Sequence, residues 1–204
     1  NRRVGEGHYA RIDVNHRDTG SWFDGVDSRS TQLAASLRSD LGRGFTHTLA
    51  YEFQQEDVDR PYWGTPVLNP AAGKLRVDEA TRFKNYNSAD AVYDQRVQWL
   101  RSIAAWKAND ALQFTNTFYV YDALRDYRNV EAYRFNPANT QVIRSNALLQ
   151  RHDQTMVGDR IDGAYRGRIG ERRSDWSFGV DFSINRQTRY PNSQAAILGS
   201  VDPY

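Results

Sequence analysis

The residue types that carry acid, base, nucleophilic or metal chemistry are all present except cysteine, but not at the spacings such chemistry requires. The four histidines, His8, His16, His47 and His152, lie far apart, and none belongs to a ligand-spaced motif such as H-E-x-x-H. Each therefore reads as a strand or rim residue. With no cysteine there is neither a thiolate metal site nor a disulfide framework. Ser30 and Ser36 lack the G-x-S-x-G elbow of a nucleophilic serine, and Gly163-Ala164-Tyr165-Arg166-Gly167 is not a phosphate-binding loop. Glu56 and Asp57 form an adjacent carboxylate pair. Acid/base work would require a pocket that shifts their pKa values, and at a strand end a solvated rim is the simpler reading. The expectation is no enzyme and no resident cofactor.

Composition points to elements with two unlike faces. Across 204 residues only 39% are hydrophobic and the mean hydropathy is -0.78, yet 13% are aromatic. No stretch approaches the roughly 18 to 20 apolar residues of a transmembrane helix. The 27 basic and 25 acidic residues are interspersed, for a net charge of +2, which leaves no basic stripe for nucleic acid. Asn1 to Gly7 lacks the apolar centre of a secretory signal, so the leader of an exported protein would lie outside this sequence.

Period-two alternation dominates the chain. Trp176, Phe178, Val180, Phe182 and Ile184 alternate with Ser177, Gly179, Asp181, Ser183 and Asn185. The same pattern recurs at Ala10, Ile12 and Val14, at Thr31 to Leu37, at Leu49 to Phe53, and at Leu112 to Val120. Less regular strands are predicted over Val92 to Trp106 and Gln150 to Tyr165. This gives about seven strands, many near the 9 to 11 residues of a tilted membrane strand rather than the five or six typical of soluble sheets. Because a one-residue slip turns a strand over, Ile12, Leu33, Leu49, Phe118 and Phe182 are expected on one common face.

Connections alternate in length. Leu41 to Gly44, Ala108 to Ala111 and Gly167 to Arg173 are short and turn-like. Asp57 to Ser88 and Asp122 to Leu149 read as long loops, and Asp18 to Asp27 as an intermediate one. Short turns at one end and long loops at the other are the habit of outer-membrane barrels. Phe45, Trp106, Tyr165 and Trp176 lie beside the short turns, where an interfacial aromatic girdle belongs. The fold class expected is an all-β, antiparallel up-and-down transmembrane barrel segment.

Several phrases in this order resemble the TonB-dependent siderophore receptors. They are Gly5-Glu6-Gly7-His8-Tyr9-Ala10-Arg11-Ile12-Asp13-Val14 leading to His16-Arg17-Asp18, then Leu49-Ala50-Tyr51-Glu52-Phe53 followed by Tyr62-Trp63-Gly64-Thr65-Pro66. Asn116-Thr117-Phe118-Tyr119-Val120-Tyr121-Asp122 and Arg125-Asp126-Tyr127-Arg128-Asn129 look like that family's passages from strand to loop. The resemblance implies a barrel of about 22 strands around an N-terminal plug. Residues 1–204 would then be part of the barrel domain, with the plug and the remaining strands outside this chain. It further implies a bacterial outer-membrane location with lipid around the apolar face. Ferric siderophores would be the cargo, with iron held by its chelator, and the TonB complex would be contacted through the missing N-terminal part.

On that resemblance the ligand surface is expected from Tyr62, Trp63, Tyr121, Arg125, Tyr127, Arg128, Tyr133 and Arg134. They fall in the two longest loops or at a strand end leading into one, and loops on a rigid scaffold commonly carry binding. Arginine offers charge and planar stacking to anionic, flat chelates, while tyrosine and tryptophan offer amphipathic surface. Two other readings compete: a passive porin, whose gene would lack a plug, and a soluble β-sandwich or carbohydrate-binding module, which would bury Phe178, Val180 and Phe182. Arg101, Asn116 and Asp159 interrupt the apolar faces of three successive strands. Either they form one lateral polar cluster, or the face of Val92 to Trp106 is inverted and Arg101 faces the lumen.

Overall fold

In the computed structural model, residues 2–204 are described, with the backbone alone at positions 191 and 193–195. Asn1 lies outside the described residues. One antiparallel sheet runs in strict chain order: β1 (Arg2–Gly5), β2 (His8–Gly20), β3 (Asp27–Gly42), β4 (Phe45–Asp59), β5 (Val92–Lys107), β6 (Leu112–Phe135), β7 (Val142–Ile169) and β8 (Arg172–Val201). A single 3-10 turn, Glu79–Thr81, interrupts the longest connection. The up-and-down, all-β expectation holds. The structure adds the four-residue β1 to the strands read from the sequence.

Register explains the alternation. Leu37 pairs with Leu49, Ala35 with Tyr51 and Leu33 with Phe53, and Leu33 pairs in turn with Val14. Directly opposed residues of an antiparallel pair share a face. Following partners across the sheet therefore places Ile12, Leu33, Leu49, Phe118 and Phe182 on one side, as expected. That side is uncovered. Phe178 is 57% exposed, Val180 73% and Phe182 68%, which a packed sandwich would not leave.

The aromatic girdle is a lateral row. Phe45 pairs with Trp106, Trp106 with Phe114, and Tyr165 with Trp176. Trp106 stacks on Phe114 at 6.0 Å and Phe114 meets Phe178 edge-on at 6.3 Å. Gly163 stands between those two phenylalanines in register, and a Cβ there would collide with the Phe178 ring. The glycine is what lets the aromatic row close over β7. At the other end of the same face a charged row follows, with Arg29, Asp57, Asp94, Asp126 and Arg151 as successive partners. From the aromatic row toward the charged one, β4 presents Phe45, Leu49, Tyr51 and Phe53, a span that matches the roughly 9 to 11 residues of a tilted membrane strand.

Several polar residues inside this belt are paired with one another. His47 shares a hydrogen bond with Ser102 at 2.8 Å, Tyr51 donates to Gln98 at 2.9 Å, and Asn116 donates to Asp159. Arg101 does not join Asn116 and Asp159. It pairs in register with Ala50 and Tyr119 on the polar face, donates to Glu52, and lies 4.9 Å from the Trp99 ring centroid. The inverted-face alternative is the correct one for Val92 to Trp106, so Leu100, Ala104 and Trp106 belong to the apolar side.

One loop expectation is overturned. Asp122 to Leu149 is not a long loop: β6 and β7 continue as a paired arm to Phe135 and Val142, leaving residues 136–141 as the turn. β8 runs beside them for 30 residues, or roughly 100 Å if straight. The connection across residues 60–91 is a true loop, and it is folded down onto this arm. Tyr86, Phe135 and Val142 form its core, with Leu68, Tyr133 and Val201 packed around them. Asn87 is buried and donates to Asn129, while its side-chain oxygen accepts from the Val130 amide at 3.0 Å. Tyr86 donates to the Pro203 carbonyl at 2.9 Å, and the Tyr204 hydroxyl donates to Asp78 at 3.0 Å, tying the loop to the residues after β8.

Candidate functional site

On the polar face, above the belt, the loop and the arm enclose a hollow of about 490 Å³. Its walls include Pro61 and Trp63 from the loop, Tyr93 from β5, Arg125, Tyr127 and Glu131 from β6, and Leu148, Gln150 and His152 from β7. Register builds it. Tyr93 opposes Tyr127, Gln95 opposes Arg125, and Arg125 opposes His152, so these side chains share one face. The loop then brings Trp63 over them, its ring 5.8 Å from that of Tyr127.

Hydrogen bonds fix the pocket's polar groups. Arg125 donates from Nε and Nη2 to the side-chain oxygen of Gln95 at 3.1 and 2.8 Å, and Tyr93 donates to the same oxygen at 2.9 Å. The guanidinium carbon lies 5.6 Å from the Tyr93 ring centroid, within cation-π range. Tyr93 and Tyr127 meet edge-on at 5.8 Å, and Asn129 donates to the Tyr127 hydroxyl at 2.9 Å. Burial, with the nearby Glu131 charge adding to it, pushes the Tyr127 phenol up to about 12. It stays protonated and able to donate. His152 is pushed below the usual imidazole range, first by burial and then by Arg189 and Arg125, so its ring is neutral near pH 7. Its Nε2 is enclosed and has no hydrogen-bond partner among the described residues.

The eight residues expected at the ligand surface separate on this geometry. Trp63, Arg125 and Tyr127 converge. Tyr121 lies lower on the same face, edge-on to Trp99 at 6.1 Å, and lines a second hollow of about 510 Å³ with Glu52 and Gln54. Tyr62 stacks on Phe23 at 3.5 Å and bonds with Thr65, bracing two loops against each other. Arg128 points to the opposite face, where it pairs with Asp90 at 3.2 Å. Tyr133 belongs to the arm's core, 6.1 Å from Tyr86, with its hydroxyl donating to the Val130 carbonyl at 2.6 Å. Arg134 lies beyond the pocket, beside Phe135 and Ile143. Tyr93, Gln95 and His152 were missed. Their signal was strand parity, which placed them with Tyr127 once the register of β5, β6 and β7 was known.

No protein-family profile matches the sequence, and no curated protein matches it either. Solved structures do. The ferric preacinetobactin receptor BauA of Acinetobacter baumannii superposes with a TM-score of 0.82 at 14% identity, over 99% of this chain and 31% of that one. The ferric-catecholate import receptor Fiu of E. coli gives 0.81 at 19% identity, over 100% of this chain and 31% of that one. The siderophore receptor PiuA of A. baumannii gives 0.79 at 18%, over 95% and 30%. The chain thus spans just under a third of the length of these receptors. At such identities the likeness shows the fold: this sheet has the arrangement found in the barrels of siderophore receptors.

Proposed function

We propose that the protein carrying this segment is an outer-membrane receptor that takes up ferric siderophores, energised through the TonB complex. The observation that carries the reading is the convergence of Trp63, Tyr93, Tyr127 and Arg125 in one hollow on the polar face, above an uncovered apolar belt. A belt of Phe, Leu, Val and Ile between an aromatic row and a charged row suits lipid, and the opposite face then lines the lumen. A ligand entering from the loop end would meet three aromatic rings and one guanidinium first. Iron on this reading is cargo held by its chelator. TonB would act through a plug and coupling segment outside this chain.

A passive channel is the alternative, and one experiment separates the two. The intact gene is expressed in an iron-starved bacterium lacking its own siderophore receptors, with and without TonB, and uptake of radiolabelled ferric siderophores is measured across a panel. Uptake of at least one chelate that disappears without TonB is expected. Steady ion conductance in planar bilayers, with no ferric chelate taken up, would establish the channel instead.

A further inference from the structure

Arg125 differs from the arginines around it in what holds it. Arg96 is drawn toward Asp122 at 3.9 Å, Arg128 toward Asp90 at 3.2 Å, and Arg151 toward Asp126 at 3.9 Å. Arg125 is held instead by the neutral oxygen of Gln95, through two of its N–H groups. Among the described residues it makes no ion pair. Gln95 therefore aims the guanidinium without neutralising it. That oxygen also accepts from Tyr93, so the aromatic wall and the cation are fixed by one group.

The other charges facing the pocket support the same polarity. His152, directly opposite Arg125 in register, is kept neutral. The one lining carboxylate, Glu131, is six positions along β6 from Arg125, with Tyr127 between them. In the cross-strand row of Arg125, Glu56 opposes Gln95 and Arg189 opposes His152, so Gln95 stands between the guanidinium and the carboxylate of that row, and the Arg125 end of the pocket is cationic and aromatic.

We infer that this pocket selects the anionic, aromatic class of iron chelate, a catecholate rather than a hydroxamate, with Arg125 as the specificity-determining contact. This rests on the receptor reading above. A ferric tris-catecholate presents flat rings to Trp63, Tyr93 and Tyr127 and brings negative charge to a guanidinium that lacks a carboxylate. A neutral ferric trihydroxamate would cover the same cation without compensating it, and has no ring to stack. Charge-assisted hydrogen bonds are the stronger kind, and an uncompensated buried charge opposes binding.

The test is equilibrium binding to the purified intact receptor in detergent, read by quenching of tryptophan fluorescence, with a ferric tris-catecholate and a ferric trihydroxamate. Wild type should prefer the tris-catecholate. Arg125→Gln should weaken that chelate by about ten- to a hundredfold, and Arg125→Lys should recover part of the loss. Gln95→Glu leaves Arg125 in place but gives it a carboxylate, and should also weaken the tris-catecholate. Equal or tighter binding of the trihydroxamate, or indifference of the tris-catecholate to both Arg125→Gln and Gln95→Glu, overturns the selectivity and leaves the receptor reading standing. Binding of neither chelate, together with no uptake of any ferric siderophore in cells, overturns both.

Discussion

In the belt, Leu49, Leu100, Phe182 and Val180 are 45, 42, 68 and 73% exposed, whereas in the arm Tyr86, Phe135 and Val142 are 5, 3 and 0% exposed. Among the described residues, every buried hydrophobic side chain from Val26 through Val142 comes from a loop or the arm. The two regions are one continuous sheet, yet they are held by different solvents. The belt has no core of its own, and hydrocarbon must supply what a second layer supplies in a soluble sheet. The arm is covered by residues 60–91 and is held, like a water-soluble domain, by apolar burial and a buried asparagine pair. A pocket built on the arm can therefore stay fixed whatever the lipid below it does.

The largest effect that would test this separation is Phe135→Ala. Truncating a buried phenylalanine costs about 3 to 5 kcal/mol, and the loss should stay in the arm. Limited proteolysis of intact cells should then cut within residues 60–91 or 136–141, while the barrel keeps its heat-sensitive migration on gels. Loss of that migration would mean that arm and belt fold as one unit.

Ile184→Arg, six residues from Phe178 in the aromatic row and six from Tyr190 at the charged row, probes the other region. An arginine on the lipid face near the midplane costs about 2 to 4 kcal/mol, so urea unfolding of the intact protein inserted in vesicles should shift by that amount. Ser183→Arg, on the polar face of the same strand, should shift it little. Equal shifts would show that β8 is not bounded by lipid. A smaller effect is expected from Asn129→Ala in the arm. It takes one acceptor from Asn87, whose side chain keeps Pro61, Ser88 and Val130, and removes the Asn129 amide from the Tyr127 hydroxyl, for about 1 to 3 kcal/mol, and should raise hydrogen exchange at Val130 without altering the belt.

Belt and arm also differ in how much of them could be read from sequence. Alternation such as Phe178, Val180 and Phe182 against Gly179, Asp181 and Ser183 marks a strand because one face meets hydrocarbon and the other water. Above Leu124 that contrast ends. Arg125, Asp126, Arg128, Asn129, Glu131 and Arg134 put polar groups on both faces, and the stretch reads as a loop. What makes it a strand is continued pairing from below, together with a cover from residues distant in sequence. The pocket followed suit. Trp63, Arg125 and Tyr127 were identifiable by type and position, but Tyr93 and His152 required the β5 face and the position of the β6–β7 turn. Arg101 shows the same limit, because Trp99, Leu100 and Ile103 offer apolar side chains on both parities.

The smallest expected effect concerns the arm's surface charges. Asp90 is held below the usual carboxylate range by a hydrogen bond from Ser88 and by Arg128, and the Asp90–Arg128 pair ties the start of β5 to β6. A carboxylate whose folded pKa is depressed stabilises the fold above its ordinary pKa, and that contribution is lost as pH falls through the folded value. Nothing should therefore change between neutrality and about pH 5, with loosening only below the ordinary range, toward about pH 3. The Asp90 side chain is 67% exposed, so screening limits the contribution to tenths of a kcal/mol. Hydrogen exchange over residues 86–93, corrected for the intrinsic pH dependence, should rise slightly on acidification in wild type and stay flat in Asp90→Asn. If acid opened these residues as far as Phe135→Ala does, ion pairs rather than apolar burial would be holding the arm, and its contrast with the belt would need a different cause.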